Sequence, residues 1–156
     1  MTLLQNLHFV KGLDPVADAF SGTVASDVVN MSAYGSCLFI IHKGVGTTGT
    51  SVITVEACDD VTPSNTSAVP FFYKTITSGD TDSVLTKATT SGFTLTAGSS
   101  QIYLIEVRDR DLAASGYKYV RLKAVESVDA AVLAGITIAL GEPRARADQQ
   151  AASAIV

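Results

Sequence analysis

The chain is 156 residues long, 47% apolar and 17% charged, with a net charge of −4 at neutral pH. That length supports one domain with a single sizeable core, and so apolar a composition excludes a disordered chain. Binding nucleic acid takes a basic patch that neutralises phosphates; no basic run exists outside Arg144 and Arg146, so no nucleic-acid partner is expected.

The N-terminus, MTLLQNLHFVKG, has no basic leader region, and Gln5, Asn6 and His8 interrupt its apolar residues, unlike a secretory signal. Residues 1–26 read as an arm that packs along its own domain or a neighbour. Its anchors are Leu3, Leu4, Leu7, Phe9, Leu13 and Phe20, which follow no sustained period. Asp14-Pro15 is placed to open one helical turn, Asp14 as cap and Pro15 at the first helical position. Val24–Met31 has the composition of a first strand, ended by Ser32-Ala33-Tyr34-Gly35.

The rest of the chain is organised around Gly35–Asp60. Cys37–Lys43 is almost wholly apolar, Ser51–Cys58 alternates, and glycines at 44, 46 and 49 let the chain turn back between them. The reading is a β-hairpin with Lys43 opposite Thr50, Leu38 opposite Val55 and Ile40 opposite Ile53 on an apolar inner face. Phe39 then turns to the other side, opposite Thr54. A one-residue slip brings Thr54 or Glu56 into the core, so the pattern selects this register.

Asp59–Ala68, DDVTPSNTSA, is a loop by composition. Strands follow at Val69–Thr77, Ser83–Ala88, Phe93–Thr96 and Gln101–Val107, separated by Gly, Ser, Thr and Asp turns. Asp109–Ser115 carries helix formers and is closed by Gly116, the pattern of one or two helical turns. In Tyr117–Val125 the alternation sends Val120 and Leu122 to the core and Tyr117, Tyr119, Arg121 and Lys123 to a polar exterior suited to contacts. Ala131–Leu140 is the last strand, with Gly135 marking a bulge or close approach, and Glu142-Pro143 stops it.

Eight or nine short strands without intervening long helices exclude βαβ units. The fold class is all-β: an antiparallel β-sandwich, jelly-roll-like, with one short helix and extended terminal arms. The division is an arm over 1–26, a sandwich over 27–143 and a tail over 144–156. The core is expected to hold Leu38, Ile40, Ile53, Val55, Leu104, Val120, Leu122 and Ile136. The longest apolar stretch, Ala130–Leu140, is far short of the ~20 residues a membrane helix needs.

No chemistry is legible in the motifs. His8 and His42 are the two histidines, Cys37 and Cys58 the two cysteines, and nothing sets a nucleophile beside a base. Buried or half-buried free thiols are the reading for both cysteines, in a protein made in a reducing cytoplasm. The acids at 59, 60, 80, 82, 109 and 111 sit at expected turns, where they cap and turn the chain; none forms the twelve-residue Ca²⁺ loop. The glycines of 44–49 have the wrong spacing for a phosphate loop. No catalytic residue, cofactor or metal is expected.

Several stretches are familiar together: VITVEACDDVTPSNTSAVPFFY over Val52–Tyr73, the run Ala97–Leu112 with Gln101-Ile102-Tyr103 and Glu106-Val107, GYKYVRL over Gly116–Leu122, and Glu142-Pro143-Arg144. From about Asp27 to Arg144 the chain resembles a family of small proteins encoded in the structural modules of tailed bacteriophages and prophages, near the major capsid gene. The resemblance implies a virion component made in the host bacterial cytoplasm: a head decoration, or cement, protein that binds the outside of the major capsid shell and stabilises it. With the low charged fraction, it also implies a homo-oligomer, a trimer at threefold axes or else a dimer, with no membrane partner. Leu3, Leu4, Leu7, Phe9, Leu13 and Phe20 at one end, and Arg144 and Arg146 at the other, are the candidate partner-binding residues; Ile155 and Val156 end the tail. The competing assignments are a tail or head–tail connector protein and a carbohydrate-binding sandwich. The latter stacks sugars on exposed aromatics, and the chain has no Trp.

Overall fold

The computed structural model describes residues 2–44, 48–77, 79–98 and 100–145. In chain order its elements are α1 (Leu3–Asn6), β1 (His8–Val16), β2 (Thr23–Ala25), β3 (Val29–Asn30), β4 (Tyr34–Lys43), β5 (Thr50–Cys58), β6 (Thr66–Val69) and β7 (Phe71–Thr77). There follow β8 (Thr81–Asp82), β9 (Thr86–Ala88), β10 (Phe93–Thr94), β11 (Gln101–Arg108), α2 (Asp109–Leu112), β12 (Tyr119–Val128) and β13 (Ala134–Pro143).

Alternating β-branched and aromatic residues pair into two antiparallel sheets. The large sheet runs β1-β13-β4-β11-β7-β8, with β9 also on β7; the small one runs β10-β5-β12-β2, with β3 on β12 and β6 on β5. Eight of the twelve connections between successive strands pass from one sheet to the other. With β1-β13-β4-β11 on one side and β2-β12-β5 on the other, the chain wraps as a jelly roll, the all-β sandwich expected.

That wrapping corrects the hairpin reading. β4 lies between β13 and β11, whereas β5 lies in the other sheet, beside β12, β10 and β6. The connection between β4 and β5 crosses the sandwich; its residues 45–47 lie outside the described part. Phase is corrected with it. Cys37, Phe39 and Ile41 are fully buried, while Leu38 and Ile40 are only half-buried on the opposite face. On β11, Tyr103, Ile105 and Val107 point in and Leu104 points out. Ile53, Val55, Val120, Leu122 and Ile136 are in the core as expected. A run that is apolar on both faces carries no phase of its own. Two polar residues end the run: His42 is exposed, in the phase of Leu38 and Ile40, whereas Lys43 shares the phase of Phe39 and Ile41 and is nevertheless fully buried.

Residues 8–16, read as part of an arm, form the edge strand β1 and pair with β13 from His8–Leu140 to Val16–Ala134. Asp14 and Pro15 lie in that strand, not in a helical turn, at an irregularity between Leu13 and Val16. An edge strand tolerates the missing N–H of proline there. Gly135 of β13 faces this point: a Cβ on it would stand 2.9 Å from the Pro15 ring, so the close approach expected of Gly135 is real. The short helix is also where expected, α2 continuing through a 3₁₀ turn at Ala113–Ser115 to Gly116, whose φ of 73° closes it.

The two sheets are joined inside by aromatic rings. Phe93 of β10 stacks on Tyr73 of β7 at 4.0 Å between centroids, and its edge meets Phe71 at 6.1 Å. Tyr103 adds a third large-sheet ring at 5.8 Å from Phe93. Its hydroxyl donates to Gln101 Oε1 and accepts from the Thr96 amide, so this buried phenol is satisfied.

Candidate interaction surfaces

Each sheet has one face in the core and one outside, and the two outer faces differ in chemistry. On the small sheet, Arg121 and Lys123 of β12 project outward from either side of Glu56 on β5. Arg121 Nη2 is 2.8 Å from Glu56 Oε2 and Lys123 Nζ is 3.0 Å from Oε1. Register places them there, since Glu56 pairs directly with Arg121 and Thr54 with Lys123. Burial pushes the Glu56 carboxyl up, but hydrogen bonds from Lys123 and Arg121 outweigh it and hold the group below its ordinary value. The polar exterior expected of β12 is present at Tyr119, Arg121 and Lys123, its cations bound to an acid of the same chain, whereas Tyr117 precedes the strand and packs against the core.

The outer face of the large sheet is aliphatic. Ladder register sets its rows: Ala139, Leu38, Glu106, Phe72 and Lys87 in one; Thr137, Ile40, Leu104 and Lys74 in the next; Gly135, His42, Ile102, Ile76 and Asp82 in the third. Leu38, Ile40, Ile102, Leu104 and Ile76 are half-buried by one another and do not belong to the core cluster. Phe72 and Phe9 are exposed at its two sides. Beside β1 the face deepens into a cleft of about 430 Å³ whose walls include Lys11, Leu13, Pro15, His42, Gly135 and Thr137.

The candidate partner residues separate into groups. Leu3 and Leu4 on α1 are 72% and 74% exposed, which leaves both free for contact. Leu7 lies over Gly141 at the end of β13, and Phe9 pairs with Ala139, so both adjoin the aliphatic face. Leu13 packs against the core and Phe20 is buried within it at 1% exposure, so Phe20 has no surface to offer a partner. Arg144 forms an ion pair with Asp109, and its amide donates to the Ala33 carbonyl at 2.9 Å. Arg146, Ile155 and Val156 lie outside the described residues.

Sequence reasoning missed the aliphatic face, although a signal for it existed. Cys37–Ile41 and Ile102–Ile105 are apolar at every position. In a two-layer sandwich one side of every strand faces out, so strands apolar on both sides imply an apolar exterior.

Two acids elsewhere shape the backbone around them. Asp59 accepts from the Ser64 and Asn65 amides and from Asn65 Nδ2, which closes the 59–65 loop and lowers its pKa. Asp111 accepts from the Arg108 amide at the start of α2. Cys37 points inward from β4 and His42 outward, so the two do not meet. Both cysteines are free and buried; burial pushes the Cys58 thiol up to about 11, against the pull of Arg121, and raises Cys37 as well. Among the described residues no cluster of three His, Cys, Asp or Glu groups could hold a metal ion, and no helix is long and apolar enough to cross a membrane.

No family model and no curated protein matches the chain. Among solved structures, SPBc2 prophage-derived protein YomS is similar with a TM-score of 0.47 and 12% identity, over 86% of this chain and 92% of that one. The structure of infectious bursal disease virus, Gx strain, is similar with a TM-score of 0.26 and 15% identity, over 88% of this chain and 42% of that chain. Likenesses this weak carry no argument about what the chain does.

Proposed function

We propose that the chain is a structural protein of a bacteriophage virion that binds the major capsid protein on the outside of the shell and stabilises it. The observation that carries this reading is the large sheet's uncovered aliphatic face, on a jelly roll whose Asp and Glu side chains serve mainly as caps and ion-pair partners. Such a surface suits contacts between proteins. The resemblance from about Asp27 to Arg144 supplies the setting, since fold alone assigns no function. Self-association and a capsid contact both belong to the reading. The exposed Leu3 and Leu4 of α1 are the segment we assign to the capsid: each anchor contributes roughly 1.5–3 kcal/mol when fully buried, and repetition around a symmetric shell multiplies the effect.

The test is localisation followed by truncation. Density for this chain on the outer shell of intact particles is the expected result; density in the tail or connector replaces the decoration reading with the connector one. A truncation removing residues 2–6 keeps β1 and Phe20, so it should fold normally yet bind shells at least about tenfold more weakly, a loss of ~1.4 kcal/mol. Its particles should also melt at lower temperature. Unchanged binding and heat resistance would remove α1 from the contact.

A further inference from the structure

The geometry points to the outer face of the large sheet as the place where a second copy of this chain docks, face to face across a twofold axis. The face is built for burial, with Leu38, Ile40, Ile102, Leu104, Ile76 and Phe72 from three adjacent strands in cross-strand contact, and among the described residues none belongs to the core cluster or is fully buried. Size is adequate. Five strands of seven to ten residues, about 4.8 Å apart and roughly 25 Å long, present on the order of 600 Å² in projection. With side-chain relief that comes close to the ~800 Å² per partner of a standard interface.

Charge distinguishes a second copy from another occupant. A twofold contact sets a surface against itself, so any unpaired charge near its axis meets its own kind. Here the charges bordering the aliphatic patch are paired within the chain: Lys11 with Asp14 at 3.3 Å, Lys74 with Asp82 at 3.3 Å, and Arg108 with Glu106 at 3.1 Å. Lys87, at the margin, sits over the Phe72 ring at 5.9 Å. Among the described residues the patch is thus apolar with a single unpaired cation, Lys87, at its rim and away from its centre at Leu104 and Ile40, so it is compatible with itself and carries little net charge to select a charged partner. Two sheet faces packing at about 10 Å extend the sandwich to four layers, the spacing that already joins its own two sheets. A single sheet face serves one partner, so the pair takes the place of the trimer that the family resemblance implies. The inference concerns self-contact and stands apart from the virion reading: a chain that dimerises yet is absent from particles retains this proposal and loses that one.

The test is sedimentation of the full chain over a wide concentration range. The wild type should reach a dimer. Leu104→Glu and Leu104→Lys, each with an unchanged circular dichroism spectrum, should each weaken association at least about tenfold. Mixing those two variants should restore dimers, which also shows that both fold. Thr54→Glu, on the outer face of the small sheet, should leave association unchanged. A wild-type chain that stays monomeric, forms a trimer, or keeps its dimer in both Leu104 variants overturns the proposal. So does a monomer whose binding to shells is what Leu104→Glu abolishes, because the face then belongs to the capsid.

Discussion

Across the outer face of the small sheet, Arg121 and Lys123 reach Glu56 at 2.8 and 3.0 Å; across that of the large sheet, Ile40 stands opposite Leu104 and Leu38 opposite Glu106. Both are cross-strand contacts on central strands, and each such pair is worth roughly 0.2–1 kcal/mol. They differ in what water does to them. The ionic face is complete within one chain, because its acid and both cations are present in hydrogen-bonding geometry. The aliphatic face stays half-wet in the monomer and gains roughly 25 cal/mol for each Å² of apolar surface only when something covers it. The difference separates a face that stabilises the fold from one that stabilises an assembly.

The largest expected effect separates inside from outside along a single strand. Phe39 is fully buried and its neighbour Ile40 is half-buried on the aliphatic face. In urea unfolding, Phe39→Ala should destabilise the chain by about 3–5 kcal/mol, a large aromatic removed from a packed core. Ile40→Ala should cost under about 1.5 kcal/mol under conditions where the chain is monomeric, since most of its contacts lie on an exposed side. Equal losses would mean that Ile40 is a core residue and that the aliphatic face is covered from within.

The next effect tests the ionic face. Glu56→Gln keeps the shape and removes the charge, leaving Arg121 and Lys123 with a weaker acceptor; a loss of about 2 kcal/mol is expected. The pH dependence has a definite sign. The folded carboxyl titrates below its ordinary value of 4.5, so the unfolded chain takes up the proton first. The Glu56 contribution is therefore complete above pH 4.5 and is lost as pH falls through the folded value. The Glu56→Gln chain should lose correspondingly less stability on acidification. Parallel losses in the two proteins between pH 6 and pH 3 would show that the triad contributes nothing to folding.

Composition and alternation were enough to read the all-β sandwich, the short helix closed by Gly116 and the two faces of β12. Tyr119, Val120, Arg121, Leu122 and Lys123 alternate strictly, and strict alternation has only one phase with an apolar inside. In β4 and β11 the apolar runs do not alternate; the outward phase is marked only by His42 and Glu106 at their ends, while the charge of Lys43 points to the opposite phase, so Leu38, Ile40 and Leu104 are expected inside and found outside. Partners across the sandwich were illegible for another reason. A glycine-rich connection suits a tight hairpin and a crossing between sheets equally well; hydrogen bonding to the distant β13 and β11 decides between them. Glu56 was legible as a charge hazard in the register argument, but its role needed the β5–β12 pairing that only the fold supplies. The aliphatic face followed from doubly apolar strands once the sandwich was known to have two layers.

The smallest effect lies where the comparison is inverted. Lys43 belongs to β4, whose aliphatic residues Leu38 and Ile40 face out, yet its own side chain is fully buried and donates from Nζ to the Thr96 carbonyl at 2.7 Å. Burial disfavours the charged form and lowers its pKa from the ordinary 10.5. The folded chain thus holds this proton less tightly than the unfolded chain. The penalty is full below the folded pKa and is relieved as pH rises toward 10.5. Lys43→Met fills the same space without a charge, and the exposed Thr96 exchanges its lysine donor for water. The substitution should stabilise the chain by about 1 kcal/mol near neutral pH, with the gain shrinking once pH rises above the folded pKa toward 10.5. Unfolding free energies of the two proteins, compared across that range, decide the matter. A gain that is constant with pH would reflect packing alone, and a loss at neutral pH would show that the Nζ–Thr96 hydrogen bond outweighs the buried charge.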